Sequence, residues 1–164
     1  MKTLIIVRHA KSSWEFPDLV DSQRPLLDKG KKRTKKVIDH LIKMHFHKPD
    51  LIISSHAVRA LETARMMARG FEYPENQIIQ SKTVYEGDKD LITDQLYGLD
   101  DDIESVMIVG HNPALTSFVN QWLEKPIEWL PTSGVIVLRI PTKRWIEISL
   151  HKASSFLKVF PKEI

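Results

Sequence analysis

The chain has no cysteine. Disulfide frameworks, thiolate nucleophiles and cysteine-ligated zinc are therefore excluded as a basis for its fold or chemistry. It also lacks any apolar run approaching the ~20 residues that a bilayer-spanning helix needs, so no membrane segment is expected. Met1-Lys2-Thr3 leads into an apolar run of only about four residues, too short for a signal-peptide core, and no small-residue cleavage site follows. The expected location is cytoplasmic. Internal repeats, linkers and low-complexity stretches are missing as well. With 164 residues, that points to one domain over residues 1–164. Charge of one sign is not in large excess: the net charge of +3 speaks for solubility before nucleic acid. The basic run Lys31, Lys32, Arg33, Lys35 and Lys36 has no interleaved aromatics and no recognised binding motif, so it reads as a solvated helix face rather than a nucleic-acid site.

What is present is a repeated pattern. Leu4-Ile5-Ile6-Val7 runs without alternation and gives way to Arg8-His9-Ala10. Leu51-Ile52-Ile53 ends in Ser54-Ser55-His56, and Val106-Met107-Ile108-Val109 ends in Gly110-His111-Asn112-Pro113. Unbroken apolar runs of this length suit strands buried on both faces of an α/β sheet. Helical spacing lies between them. A helix is expected from an N-cap at Asp28 to about Met44, with Val37, Ile38, Leu41 and Met44 facing inward. A second should run from Ala57 to Arg69, with Leu61, Ala64, Met67 and Ala68 inward and Gly70 as its stop. A short strand at Ile78-Ile79 and the segment Val84-Tyr85-Glu86-Gly87 precede a helix from Lys89 to Leu99. Asn112 suits an N-cap and Pro113 the first helical position, followed by the apolar face Leu115, Phe118, Val119 and Trp122. In the last third, Val135–Ile140 and the alternating Trp145–Leu150 predict an antiparallel hairpin at the sheet edge, and Phe156–Phe160 a final short strand. The expectation is a three-layer α/β/α sandwich with a mainly parallel central sheet and an antiparallel edge.

In such sheets, ligands bind beyond the carboxyl ends of the strands. Arg8, His9 and His111 fall there, and Arg59 sits in the first turn of a helix, where anions are already favoured. Two arginine forks bind a phosphoryl group well, and an imidazole among them is a candidate nucleophile. Metal binding by His9 and His111 is the competing reading; Arg8 and Arg59 would repel a cation, and no carboxylate ligand is obvious. Asp100-Asp101-Asp102 reads as a solvated turn, and His45 and His47 as helix-end residues. The polar stretch Lys11–Pro25 is long for a loop, and long loops in compact domains are often functional.

Arg8-His9-Ala10, the segment Ser54-Ser55-His56-Ala57-Val58-Arg59-Ala60-Leu61-Glu62-Thr63-Ala64 and Gly110-His111-Asn112-Pro113 together resemble the histidine phosphatase superfamily, with its phosphoglycerate mutase-like fold. The short length, Arg24-Pro25-Leu26 and Leu130-Pro131-Thr132-Ser133-Gly134 look most like its SixA-type phosphohistidine phosphatase branch. The resemblance implies that His9 is the nucleophile that becomes phosphorylated and that Arg8 and Arg59 bind phosphate. It implies that His111 stabilises the transferring group and that Arg24 reaches the same pocket. Ala10 and His56 depart from the glycine and proline usual in the superfamily, and His56 lies beside the expected pocket.

The leaving group sets the substrate class. An alkoxide needs a general acid, whereas the imidazole of phosphohistidine leaves more easily. Members acting on phosphoesters supply a carboxylate, and SixA-type members lack it. Here Glu86 is the only carboxylate in a plausible position, and it also reads as a surface residue at a strand end. The leading expectation is a phosphatase acting on phosphohistidine in a protein, needing no metal or other cofactor. The alternatives are a small-molecule phosphomonoesterase using Glu86 and a phosphate-sensing module with little turnover. The expected partner is a phosphorylated protein or a small phosphate-containing substrate, reached through an open pocket, with no nucleic acid and no membrane involved. Oligomeric state is not readable.

Overall fold

The computed structural model describes residues 1–164. The three unbroken apolar runs are strands of one sheet. In chain order the elements are β1 (Lys2–Arg8), α1 (Asp28–Lys43), β2 (Leu51–Ser55), α2 (Val58–Gly70), β3 (Ile79–Ser81), α3 (Lys82–Glu86), α4 (Lys89–Tyr97), β4 (Ser105–Gly110), α5 (Ala114–Asn120), β5 (Val135–Ile140) and β6 (Ser155–Val159). The six strands lie in the order β3-β2-β4-β1-β5-β6. The first four are mutually parallel, and β5 and β6 form the antiparallel edge. No helix is long and apolar enough to cross a membrane.

Strand periodicity divides the core. Leu4 and Ile6 point into one apolar cluster with residues of α4, α5 and the 3-10 turn Trp145–Leu150. Ile5 and Val7 point into the other, against α1 and α2. Every one of these side chains is buried, and each is worth roughly 1.5–3 kcal/mol relative to exposure. The result is the expected three-layer sandwich, with β1 and β4 at its centre.

Several local expectations are corrected. Trp145–Leu150 is a 3-10 helix, not a strand; the partner of β5 is β6. The buried residues there are Trp145 and Ile148, three apart, which is the 3-10 repeat, while Ile146 and Leu150 are exposed. Asp28 is the first helical residue of α1 and not its cap; the cap position is Leu27, whose N–H donates to the Lys11 carbonyl. Met44 lies beyond α1 and is exposed. Gly70 is the last residue of α2 rather than the stop beyond it, and it is a glycine where a Cβ would stand 2.4 Å from Cγ2 of Ile38 on α1. The chain leaves α2 through Phe71 and Glu72, the latter at φ 57°. The cap position of α5 is Pro113, and Asn112 Oδ1 accepts from the amide and hydroxyl of Thr116 instead. Finally, Glu86 ends a short helix, α3, whose N-terminus Ser81 caps by accepting from Val84 N–H. The basic run on α1 is solvated as expected, and Lys35 pairs with Asp39 at 2.8 Å.

Strand register sets the functional edge. Arg8 at the end of β1 lies opposite Gly110 at the end of β4. Ser54 of β2 lies opposite Val109 of β4, so the three strands finish level. The residues that follow, His9, His111 and His56, emerge along one rim. Because β5 is antiparallel to β1 and begins opposite Val7, the segment Leu130–Gly134 reaches the same rim from the other side.

Candidate functional site

The backbone at Arg8 and His9 is fixed from both neighbours. Arg8 N–H donates to Gly134 O at 3.2 Å, His9 N–H to Gly110 O at 3.0 Å, and Ser133 N–H to Arg8 O at 3.1 Å. Ser133 adopts φ 59°, and its hydroxyl meets that of Thr34 on α1 at 2.8 Å. Ala10 N–H donates to the Thr63 hydroxyl at 3.0 Å, and that hydroxyl donates to Arg59 O at 2.7 Å. The strand end carrying His9 and the first turn of α2 carrying Arg59 are thereby joined through one side chain.

The two imidazoles stand with ring centroids 5.1 Å apart. His9 Nδ1 lies 2.7 Å from the Ala10 carbonyl, which can only accept, so Nδ1 carries the proton. Nε2 of the neutral ring then keeps its lone pair. His111 is oriented in the opposite sense. Its Nε2 lies 2.7 Å from the Ser55 hydroxyl, and that buried oxygen already accepts from Ala57 N–H at 3.1 Å. The Ser55 proton has no other acceptor, so we assign it to His111 Nε2, the tautomer that leaves His111 Nδ1 as an N–H donor. That atom is buried with no protein partner, as are Arg8 Nε and Arg59 Nε. Buried donors without partners are rare, and three around one imidazole describe an anion site.

The arginines differ in how they are held. Arg8 donates through NH1 to Leu130 O at 3.2 Å and lies 5.6 Å from the ring centre of Trp129. Burial, and then the charge of Arg59, lowers its pKa. Arg59 is buried and gives NH1 to Asp21 O at 2.8 Å and NH2 to Asp21 Oδ2 at 2.9 Å. Arg24 is buried too: Nε reaches Asp21 Oδ1 at 3.2 Å, NH1 reaches Ser12 Oγ at 2.8 Å, and Trp14 lies over its guanidinium at 3.5 Å. Tyr85 on α3 donates to Asp21 Oδ2 at 2.6 Å, stacks on His56 at 4.9 Å and meets His111 edge-on at 5.3 Å. Trp14 and Trp129 are 77% and 52% exposed at this rim.

Arg8, His9, Arg24, Arg59 and His111 are thus brought together. Glu86 is not among them: its exposed carboxylate is 3.9 Å from Lys82 Nζ. It does line, with Tyr85, His111 and Asn112, an adjoining cavity of about 480 Å³. Asp21, Tyr85, Ser55 and Trp129 were not singled out by the sequence. Asp21 had one usable signal, its place three residues before Arg24 in the long loop.

The electrostatics follow from this ring of cations. Burial pushes the His9 pKa down to about 4; the Ala10 bond opposes the shift, and Arg59, Arg8 and Arg24 add to it. Burial, His9 and Arg59 take His111 down to about 3, with Asp21 opposing. Both rings should stay neutral to below pH 5, and imidazole ¹⁵N resonances should show no titration between pH 5.5 and 8; a midpoint near the ordinary 6.5 would contradict the burial described. The same shifts carry a sign for stability. Between 6.5 and 4 the unfolded chain binds more protons than the folded one. The contribution of these buried neutral rings is therefore complete above about pH 6.5 and is lost as pH falls toward 4.

The chain is similar to several known proteins. An uncharacterized protein of Mycobacterium leprae is 26% identical over 159 residues, covering 90% of this chain and 94% of its own. The SixA protein of Agrobacterium tumefaciens superposes with a TM-score of 0.78 at 24% identity, over 95% of this chain and 97% of that one. A protein histidine phosphatase SixA complexed with tungstate gives 0.80 at 19% identity, over 98% of both chains. At these identities the likeness to the solved structures is one of fold, the phosphoglycerate mutase-like fold. Residues 4–86, half of the chain and the part that carries Arg8, His9, Asp21, Arg24, Arg59 and Tyr85, match the family model of the histidine phosphatase superfamily, branch 1, and it is to that family that the chain belongs.

Proposed function

We propose that the protein is a SixA-type phosphatase that removes the phosphoryl group from phosphohistidine in a protein, through a phospho-His9 intermediate and without a metal. The observation that carries the reading is the free Nε2 of His9, set among three buried donors with no protein partner. In the first step His9 Nε2 attacks phosphorus, and the bond from phosphorus to the substrate imidazole breaks in line with it. Arg8, Arg59, Arg24 and His111 spread the charge on the equatorial oxygens. The leaving imidazole takes the electron pair of that bond and departs neutral, because its other ring nitrogen already carries a proton. Water then attacks phosphorus, the bond to His9 breaks, and inorganic phosphate and neutral His9 result. The positive ring supports a site that stabilises the phosphoryl group without a metal cation.

The choice of a phosphoramidate over an ester rests on the carboxylates. Asp21, next to the arginines, is held ionised, and Glu86 is turned to solvent against Lys82. Neither is placed as a proton donor to an alkoxide. A protein substrate is favoured by the exposed rim, where Trp14 and Trp129 present apolar surface beside Arg24 and Arg8. The solved SixA described as a protein histidine phosphatase adds the same suggestion.

The specific observation favouring a small phosphoester is the cavity that Glu86 shares with His111. One assay separates the readings: protein phosphohistidine against a panel of phosphomonoesters, with a metal chelator present. A preference of at least about 100-fold in kcat/KM for the phosphohistidine is expected. Preference for an ester, with the rate falling in Glu86→Gln, would establish the second reading instead. Phosphate binding with no turnover of any substrate would leave a sensing module.

A further inference from the structure

The geometry points to Asp21 as a positioning residue of the phosphoryl pocket, the group that holds Arg59 and Arg24 side by side and turned toward His9. This rests on the proposed role of those arginines as phosphate ligands. Asp21 uses three acceptor atoms. Its carbonyl takes Arg59 NH1 at 2.8 Å, Oδ2 takes Arg59 NH2 at 2.9 Å, and Oδ1 takes Arg24 Nε at 3.2 Å. Oδ2 also accepts from Tyr85 at 2.6 Å. One loop residue therefore reaches 38 positions along to α2 and 64 positions along to α3.

The physical need is plain. Arg8, Arg24 and Arg59 all bear on His9, and three guanidiniums around one small pocket repel one another. A carboxylate between two of them removes most of that repulsion and fixes their planes, since each fork has only a few bonding directions. Partial burial works to raise the Asp21 pKa, but the bonds from Tyr85 and Arg59 and the charges of Arg59 and Arg24 bring it down to about 2. It is thus an anion at every working pH and not a general acid.

Two other roles fit less well. A carboxylate standing in for phosphate would occupy the buried donors that the rest of the protein leaves without partners. Asp21 instead takes the outer nitrogens of Arg59, while Arg59 Nε, Arg8 Nε and His111 Nδ1 remain without partners. A purely structural tie would not need charge. Yet Arg24 is already bonded to Ser12 and covered by Trp14, and Asp21 is 48% exposed, so the loop is anchored without it.

The test uses Asp21→Asn, Asp21→Glu and Tyr85→Phe in the full chain, with phosphoramidate as the phosphoryl donor and inorganic phosphate as the bound anion. Asp21→Asn should lower kcat about 10- to 100-fold, as a misplacement of about 1 Å does. Its affinity for inorganic phosphate should stay level or tighten, because a negative charge has left the pocket edge. Asp21→Glu should recover part of kcat, and Tyr85→Phe should show a smaller loss of the same kind. Unchanged or higher kcat in Asp21→Asn would overturn the assignment in favour of a displaced stand-in. A parallel fall in kcat, phosphate affinity and melting temperature would overturn it in favour of a structural tie. A second readout is independent of turnover: the Arg59 Nε–H resonance should be single and slow to exchange in the parent and broadened in Asp21→Asn. An unchanged resonance would overturn the proposal even if phosphoramidate were no substrate, and failure of the parent to turn over any donor would count only against the function proposed above.

Discussion

Replacing His9 with alanine is expected to lower phosphate release by about 10⁴-fold or more, the cost of removing a covalent nucleophile. The expectation rests on three features. The Nδ1 proton is committed to Ala10 O, so the reactive lone pair is always on Nε2. The ring is neutral at working pH because burial and the surrounding arginines hold its pKa near 4. The backbone on each side is bonded to Gly110, Gly134 and Thr63 through main-chain groups that the substitution keeps. The variant should therefore fold, and its melting temperature serves as the control. The space left by the ring is open to free imidazole, which could attack the same phosphorus and leave as phosphoimidazole. Partial rescue by added imidazole would identify the lost function as nucleophilic. In the parent protein, rapid quench with a labelled donor should trap an acid-labile, alkali-stable phospho-enzyme. Full activity in His9→Ala would end the covalent reading.

Arg59→Ala should cost the second largest factor, about 10³-fold in kcat, comparable to the loss of a major donor to a developing anion. Arg59→Lys should recover only a small part, because an ammonium restores charge but not the fork. The effect should extend beyond the reacting group. Asp21 loses the partner of its carbonyl and of one carboxylate oxygen, and Arg24 loses the arrangement that shares that carboxylate. Amide hydrogen exchange across residues 12–24 should stay near the parent's in Arg59→Ala, because Ser12 and Trp14 still hold Arg24, while the Arg24 Nε–H resonance should broaden. Little change in kcat would remove Arg59 from the phosphoryl pocket.

The parts of this site that could be read in the sequence are those that periodicity marks. An unbroken apolar run announces a buried strand, and the residue after it must sit at the sheet's edge. That logic located His9 and His111, and helix-start chemistry located Arg59. Register then aligned them, which no single strand can show by itself. Asp21, Tyr85 and Ser55 have no such mark. They act through pairings 38, 64 and 56 residues apart, and polar residues in a loop or a short helix look alike whether or not they meet a partner. The misplaced hairpin has a related cause. Trp145–Leu150 alternates well enough for a strand, and only the tertiary burial of Trp145 and Ile148 decides for a 3-10 turn. Gly70 misled for the opposite reason: it is required by the closeness of α1 and α2 and not by a chain reversal.

The distribution of the tryptophans has an optical consequence. Of the four indoles in the chain, Trp122 and Trp145 are sealed in the core and donate to Ile148 O and Ile103 O. Trp14 and Trp129 are wet, and each stands against an arginine of the pocket. Red-edge emission and its quenching by acrylamide therefore arise at the mouth of the pocket, while the blue emission arises in the core. Any partner settling over the pocket must dry the first signal and leave the second alone, so the protein reports on its own occupancy in ordinary fluorescence, without a label.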